Sequence, residues 1–153
     1  MDGEPTEQDP ISDPLGAQAL DFWLGSWVVS WAGGGRGTNS IQRVLDERAI
    51  EESFDGSDDS SSLKGLSLSV RDSADGQWRQ TWVDSTGAYL DFVAVEVDGR
   101  LSFQRQTSTG AGTVLQRMVW LDVTTDSFRW QWQRSADDGA TWDVVWEIDY
   151  RRA

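Results

Sequence analysis

In the run Ile50-Glu51-Glu52-Ser53-Phe54 a carboxylate shares the strand parity of Ile50 and Phe54. An extended chain there turns Glu52 into an apolar face while Glu47, Glu51 and Ser53 point outward. A carboxyl group so placed can move a proton, orient a polar ligand group or attract a cation. Gln80 is set in the same way between Trp78 and Trp82, and Tyr89 and Tyr150 are the only phenols in the chain. There is no histidine and no cysteine. Imidazole triads, cysteine nucleophiles, thiolate or histidine zinc sites and histidine-ligated haem are therefore ruled out. Any catalysis must use carboxylates, Tyr, Arg, Trp or backbone groups, and no cofactor is expected. The acidic stretch from Asp55 to Ser62 lacks the carboxylate spacing and closing Glu of a calcium loop, so it reads as a solvated hairpin connection and no metal site is expected.

The elements that must position these groups follow from the tryptophans. Of ten in the chain, eight fall in same-parity pairs: Trp27 with Trp31, Trp78 with Trp82, Trp130 with Trp132, and Trp142 with Trp146. A spacing of two or four puts both rings on one face of a strand. From Gly25 onward the apolar period is two, and Gly, Asp and Ser punctuate it roughly every 8–12 residues. Strands are expected over 26–33, 37–45, 47–54, 63–71, 77–84, 87–96, 100–107, 113–123, 127–134 and 141–151. Asp98-Gly99 is the clearest two-residue hairpin turn, with Asp75-Gly76, Thr86-Gly87 and Asp138-Gly139 as similar signals. An open sheet of about ten strands exposes two edges, so an all-β, up-and-down antiparallel barrel is favoured over a two-sheet sandwich. The apolar spacing of Leu15, Ala19, Phe22 and Trp23 before Gly25 predicts a short N-terminal helix near one mouth.

At 153 residues one domain is expected, running from 15 to 153 behind an acidic, disordered tail over 1–14. That tail holds Asp2, Glu4, Glu7, Asp9 and Asp13 with three prolines and no basic residue. It has neither the basic nor the apolar region of a signal peptide, and no apolar run reaches bilayer length, so a cytoplasmic location is the expectation. A net charge of −13 repels phosphate backbones and anionic lipid, so neither nucleic acid nor membrane is an expected partner.

Ser135-x-Asp137-x-Gly139-x-Thr141-Trp142 resembles the Asp-box hairpin of sialidases and several unrelated β proteins, a local turn device rather than a sign of an activity. Over a wider span, Phe22-Trp23-Leu24-Gly25-Ser26-Trp27, Gly37-x-Asn39-x-Ile41, Glu51-Glu52-x-Phe54, Lys64-Gly65-x-Ser67, Trp78-Arg79-Gln80-Thr81-Trp82-Val83-Asp84 and the Asp-box segment leading to Tyr150-Arg151-Arg152 together resemble a family of uncharacterised bacterial lipocalin-like, or calycin-like, barrels. The resemblance covers Phe22 to Arg152. It implies a barrel with an internal cavity, akin in shape to fatty-acid-binding proteins, lipocalins and nitrobindin-like barrels, and it brings no reaction with it.

The leading expectation is a binding module for a small apolar or aromatic molecule. Its contacts are expected from Trp27, Asn39, Glu52, Gln80, Trp82, Arg117, Trp130, Trp132 and Trp146. An inward Arg117 or Arg105 would pair with Glu52, and without such a partner a buried Glu52 would protonate. The alternative is a cyclase or isomerase of natural-product type, with Glu52, Tyr89 or Tyr150 as the proton-moving catalytic group. A third class stays open, an interaction protein whose exposed indoles pair two copies in a homodimer. Strands 87–96 and 113–123 carry apolar residues on both parities, so their inward faces are not assigned.

Overall fold

Period-two patterning resolves into ten strands: β1 (Gly25–Trp31), β2 (Gly35–Val44), β3 (Ala49–Asp55), β4 (Lys64–Arg71), β5 (Trp78–Asp84), β6 (Tyr89–Val97), β7 (Arg100–Thr109), β8 (Gly112–Leu121), β9 (Ser127–Ser135) and β10 (Asp143–Arg152). The computed structural model describes residues 13–57 and 62–153. Every strand pairs antiparallel with its sequence neighbour, and β1 pairs with β10 to close the barrel. Closure leaves no free edge strand, the outcome that strand edges favour. The acidic head expected as a tail lies, except for Asp13 and Pro14, outside the described residues, as does the middle of the 55–62 connection. Among the described residues no helix is long and apolar enough to cross a membrane.

Turn chemistry sets the hairpins. Asp98 and Gly99 both take positive φ (51° and 79°), joining Val97 to Arg100 as the primed turn requires. The strand expected from 47 starts instead at Ala49, because Leu45, Asp46 and Glu47 are all left-handed and form the turn. In the Asp-box hairpin the Ser135 hydroxyl accepts from the Gly139 amide (2.9 Å), while Asp137 accepts from the amide and hydroxyl of Thr141. Those bonds hold the Asp137 carboxyl down to about 2, the Thr141 hydroxyl and amide and the Ser135 hydroxyl each favouring the anion.

The expected N-terminal helix is corrected to a run of tight turns with one 3-10 turn, Asp21–Trp23. Its amides bond three residues back, as in Ala19 to Gly16 (3.1 Å) and Trp23 to Leu20 (3.0 Å). Carbonyls that an α-helical ladder would use serve indoles instead. The Trp78 N–H donates to Gly16 O (2.8 Å) and the Trp27 N–H to Trp23 O (2.9 Å). The segment thus plugs the end of the barrel where β1 begins, called here the lower end, with Ala19, Leu20 and Trp23 buried. Phe22 packs edge-on against Trp120 and Phe128, and Trp23 against Trp120 at 5.5 Å. Such pairs contribute roughly 0.5–1.5 kcal/mol each beyond their buried area.

Three strands take an unexpected face or fix an open one. A β-bulge between Val144 and Trp146 adds one residue to β10. It flips the face, so Trp142 packs outside beneath the Arg117 guanidinium, 3.9 Å from the ring centroid, while Trp146 points inward. The open parities of β6 and β8 resolve with Leu90, Phe92 and Ala94 inward on one and Met118 and Trp120 inward on the other. Between β6 and β7 the ladder runs only from Val93↔Gln104 to Val97↔Arg100. Above it, residues 89–92 pair with β5 and residues 105–109 with β8, not with each other.

Candidate functional site

A cavity of about 390 Å³ occupies the barrel above the Trp23 ring, within the roughly 300–1,000 Å³ range of small-molecule sites. Its walls are aromatic. Trp130, Trp132 and Trp146 come from the paired strands β9 and β10, and Trp82 faces them from β5. Trp130 meets Trp146 edge-on at 6.0 Å, and Trp132 meets Phe92 edge-on at 5.8 Å. Phe54, Leu63, Leu90, Met118 and Ile148 complete the apolar lining. Trp82 can lie flat on the wall because its neighbour on β4 is Gly65, where a Cβ would sit 2.0 Å from the indole Cη2.

Among the described residues, the N–H groups of Trp130, Trp132 and Trp146 have no hydrogen-bond partner, and none is sealed from solvent. They remain available to a guest. The Trp82 N–H, by contrast, donates to Asp84 (2.9 Å). Burial works to raise the Asp84 carboxyl, but hydrogen bonds from the Thr86 hydroxyl, Trp82 and the amides of Thr86 and Ala88 hold it below the ordinary range.

One polar chain of contacts crosses the wall. Glu52 on β3 accepts from the Ser67 hydroxyl of β4 (2.7 Å) and the Asn39 amide of β2 (2.7 Å), and Asn39 also donates to the Tyr150 hydroxyl of β10 (2.8 Å). Glu52 and Tyr150 both line the cavity. No arginine reaches Glu52 within ion-pair distance among the described residues. Burial therefore raises its carboxyl despite the opposing bonds from Asn39 and Ser67. Burial, then the nearby Glu52, raises the Tyr150 phenol as well. Both groups hold their protons more tightly than they would in water, and Tyr150, which accepts from Asn39, has no acceptor for its own proton among the described residues.

The sequence-derived residues separate into three groups. Glu52, Tyr150, Trp82, Trp130, Trp132 and Trp146 share the cavity wall. Asn39, Trp27 and Gln80 are inside the barrel but stand behind the wall: Asn39 orients Glu52 and Tyr150, Trp27 seals the lower end, and Gln80 donates to Ser69 (3.0 Å). Tyr89 and Arg117 fall outside. Tyr89 is 68% exposed on the outer face of β6, and Arg117 bonds Gln133 (2.7 Å) with its guanidinium over Trp142. Each has the outward parity of its strand, which removes Tyr89 as an interior proton carrier and Arg117 as a partner for Glu52. Sequence reasoning missed Trp23 as the cavity floor and left Arg105, which lines the cavity, as one of two options. Among the described residues no three carboxylates converge as a metal site would require. No family model matches this sequence, and no curated protein matches it.

Proposed function

We propose that the protein binds one small, largely apolar or aromatic molecule in the upper half of its barrel. The observation that carries this reading is the cavity of about 390 Å³ walled by four indoles above the floor made by a fifth, Trp23; three of the wall indoles keep an uncommitted N–H. Aromatic faces supply contact area, while the Glu52 carboxyl and the Tyr150 hydroxyl supply polar partners for the guest. The resemblance to calycin-like barrels belongs to the same reading, and the closed up-and-down topology supports it. Native mass spectra of the protein before and after incubation with a cell extract test it. The expected result is a single non-covalent adduct per chain, lost on denaturation; persistent absence of any adduct contradicts it.

A second reading is favoured by one specific observation, the Glu52 carboxyl raised by burial and set beside Tyr150 on the cavity wall. A proton-carrying acid above an aromatic cradle suits an isomerase or cyclase, in which enclosure sets the conformer and Glu52 delivers or removes the proton. Chromatography of the released molecule separates the readings, since a carrier returns it unaltered and an enzyme returns an isomer. In the enzyme case Glu52→Gln retains binding and lowers turnover roughly 10²–10⁴-fold.

A further inference from the structure

The charges around the cavity are unevenly satisfied. Asp84 accepts bonds from Trp82, Thr86 and Ala88 and needs nothing more. Glu52 accepts from Asn39 and Ser67, one on each oxygen, and burial raises its carboxyl. Arg105 is different. It follows the inward parity of Leu101 and Phe103 on β7 and reaches the cavity, where one guanidinium nitrogen bonds the Gln116 side chain. Its Nε is buried with no partner, and among the described residues no carboxylate lies within ion-pair distance of the group. A guanidinium N–H shielded from water without an acceptor is costly, and the planar fork matches a carboxylate.

The position of Arg105 adds direction. It is the first β7 residue beyond the point where the β6–β7 ladder ends. Arg105 and Phe92, from the two strands that part there, line both the internal cavity and a groove on the outer face. Asp91, on the groove side, makes no ion pair with Arg105. A molecule with a charged end at this break and an apolar body inward would keep its charge near water while its rings meet Trp130, Trp132 and Trp146.

We propose that the molecule held in the cavity is an apolar or aromatic carboxylate, its carboxylate on Arg105 at the break between β6 and β7 and its body against the indoles. This rests on the reading of the cavity as a binding site and names the class of guest. A cation, which indole faces alone would also suit, is disfavoured because the Glu52 and Asp84 oxygens already accept hydrogen bonds whereas the Arg105 Nε has no acceptor.

The test is calorimetric titration at neutral pH with 2-naphthoate and 2-naphthamide, which share one aromatic body. The wild-type protein is expected to bind the carboxylate roughly tenfold or more tightly than the amide. Arg105→Gln is expected to bring the two to near parity, chiefly by weakening the carboxylate, and Arg105→Lys to keep part of the preference. Should Arg105→Gln fail to fold, 2-naphthylmethylammonium on the wild-type protein serves instead, with binding weaker than the amide expected. Equal affinities in the wild type, a preference that survives Arg105→Gln, or tightest binding of the ammonium overturns the carboxylate inference and leaves the cavity reading standing. Binding of none of the probes overturns both.

Discussion

In the lower half of the barrel Trp23, Trp27, Trp78 and Trp120 are buried among Phe22, Phe103 and Phe128, whereas in the upper half Trp82, Trp130, Trp132 and Trp146 stand around open volume. The residue types are the same and the environments are not. Below, the Leu15–Leu24 segment enters the barrel end and offers carbonyls to the indoles of Trp27 and Trp78. Above, no segment among the described residues fills the space, and three indole N–H groups stay uncommitted. An indole in a barrel is therefore structural or ligand-facing according to whether the chain itself supplies the group that covers it.

The strongest way to break this comparison is to truncate one indole from each half. Trp23→Ala is expected to cost about 3–5 kcal/mol of stability in chemical denaturation, the range for large aromatic residues removed from a packed core. Trp132→Ala, whose ring already faces empty volume, is expected to cost less than half as much and to weaken 2-naphthamide binding roughly tenfold. Equal stability losses would mean that both halves are packed alike.

A smaller effect separates the polar wall from the apolar floor. The folded state raises the Glu52 carboxyl above its ordinary value of 4.5, so the associated stability is fully present below that pH and is lost as pH rises through the raised value. Wild-type stability measured against Glu52→Gln is expected to decline upward from pH 4.5 with a slope of at most about 1.4 kcal/mol per pH unit. A difference independent of pH would show Glu52 ionised in the folded protein. Gly65→Ala sharpens the same contrast from the other wall. The added methyl meets the Trp82 ring and is expected to cost about 1–3 kcal/mol, with the indole displaced and its near-ultraviolet dichroism altered.

Smallest is the effect at the Asp-box hairpin, which lies outside both halves. Asp137→Asn is expected to lower the melting temperature slightly and leave probe binding unchanged. The carboxyl's contribution is present above its ordinary value of 3.8 and is lost as pH falls through about 2. Acid titration of the melting temperature in wild type and variant checks that sign.

How much of this was legible depended on local pattern. In β9 apolar and polar residues alternate from Ser127 to Gln133, and in β3 and β5 the bulky apolar residues Ile50 and Phe54, and Trp78 and Trp82, share one parity, so Glu52, Trp82, Trp130 and Trp132 were placed on the inner face from sequence. Trp142 was misplaced because a bulge leaves no mark in composition; the extra residue in Val144-Val145-Trp146 looks like continued strand. The faces of β6 were recoverable, since the Asp98-Gly99 turn fixes Val97 opposite Arg100 and so sets Ala94 beside Phe103. Following that register outward puts Phe92 and Arg105 inside and Tyr89 outside. The N-terminal plug was legible as an apolar segment but not as turns, because the competition between indoles and amides for its carbonyls arises only once distant strands arrive.

The central claim is that the upper cavity is a preformed place for an aromatic guest. A crystal structure of the protein saturated with 2-naphthamide tests it most directly. The account predicts the naphthyl group above Trp23, between Trp130, Trp132 and Trp146, with those rings little moved from their present positions. Indoles rotated inward to fill the volume, with the naphthyl group bound elsewhere or absent, would contradict it.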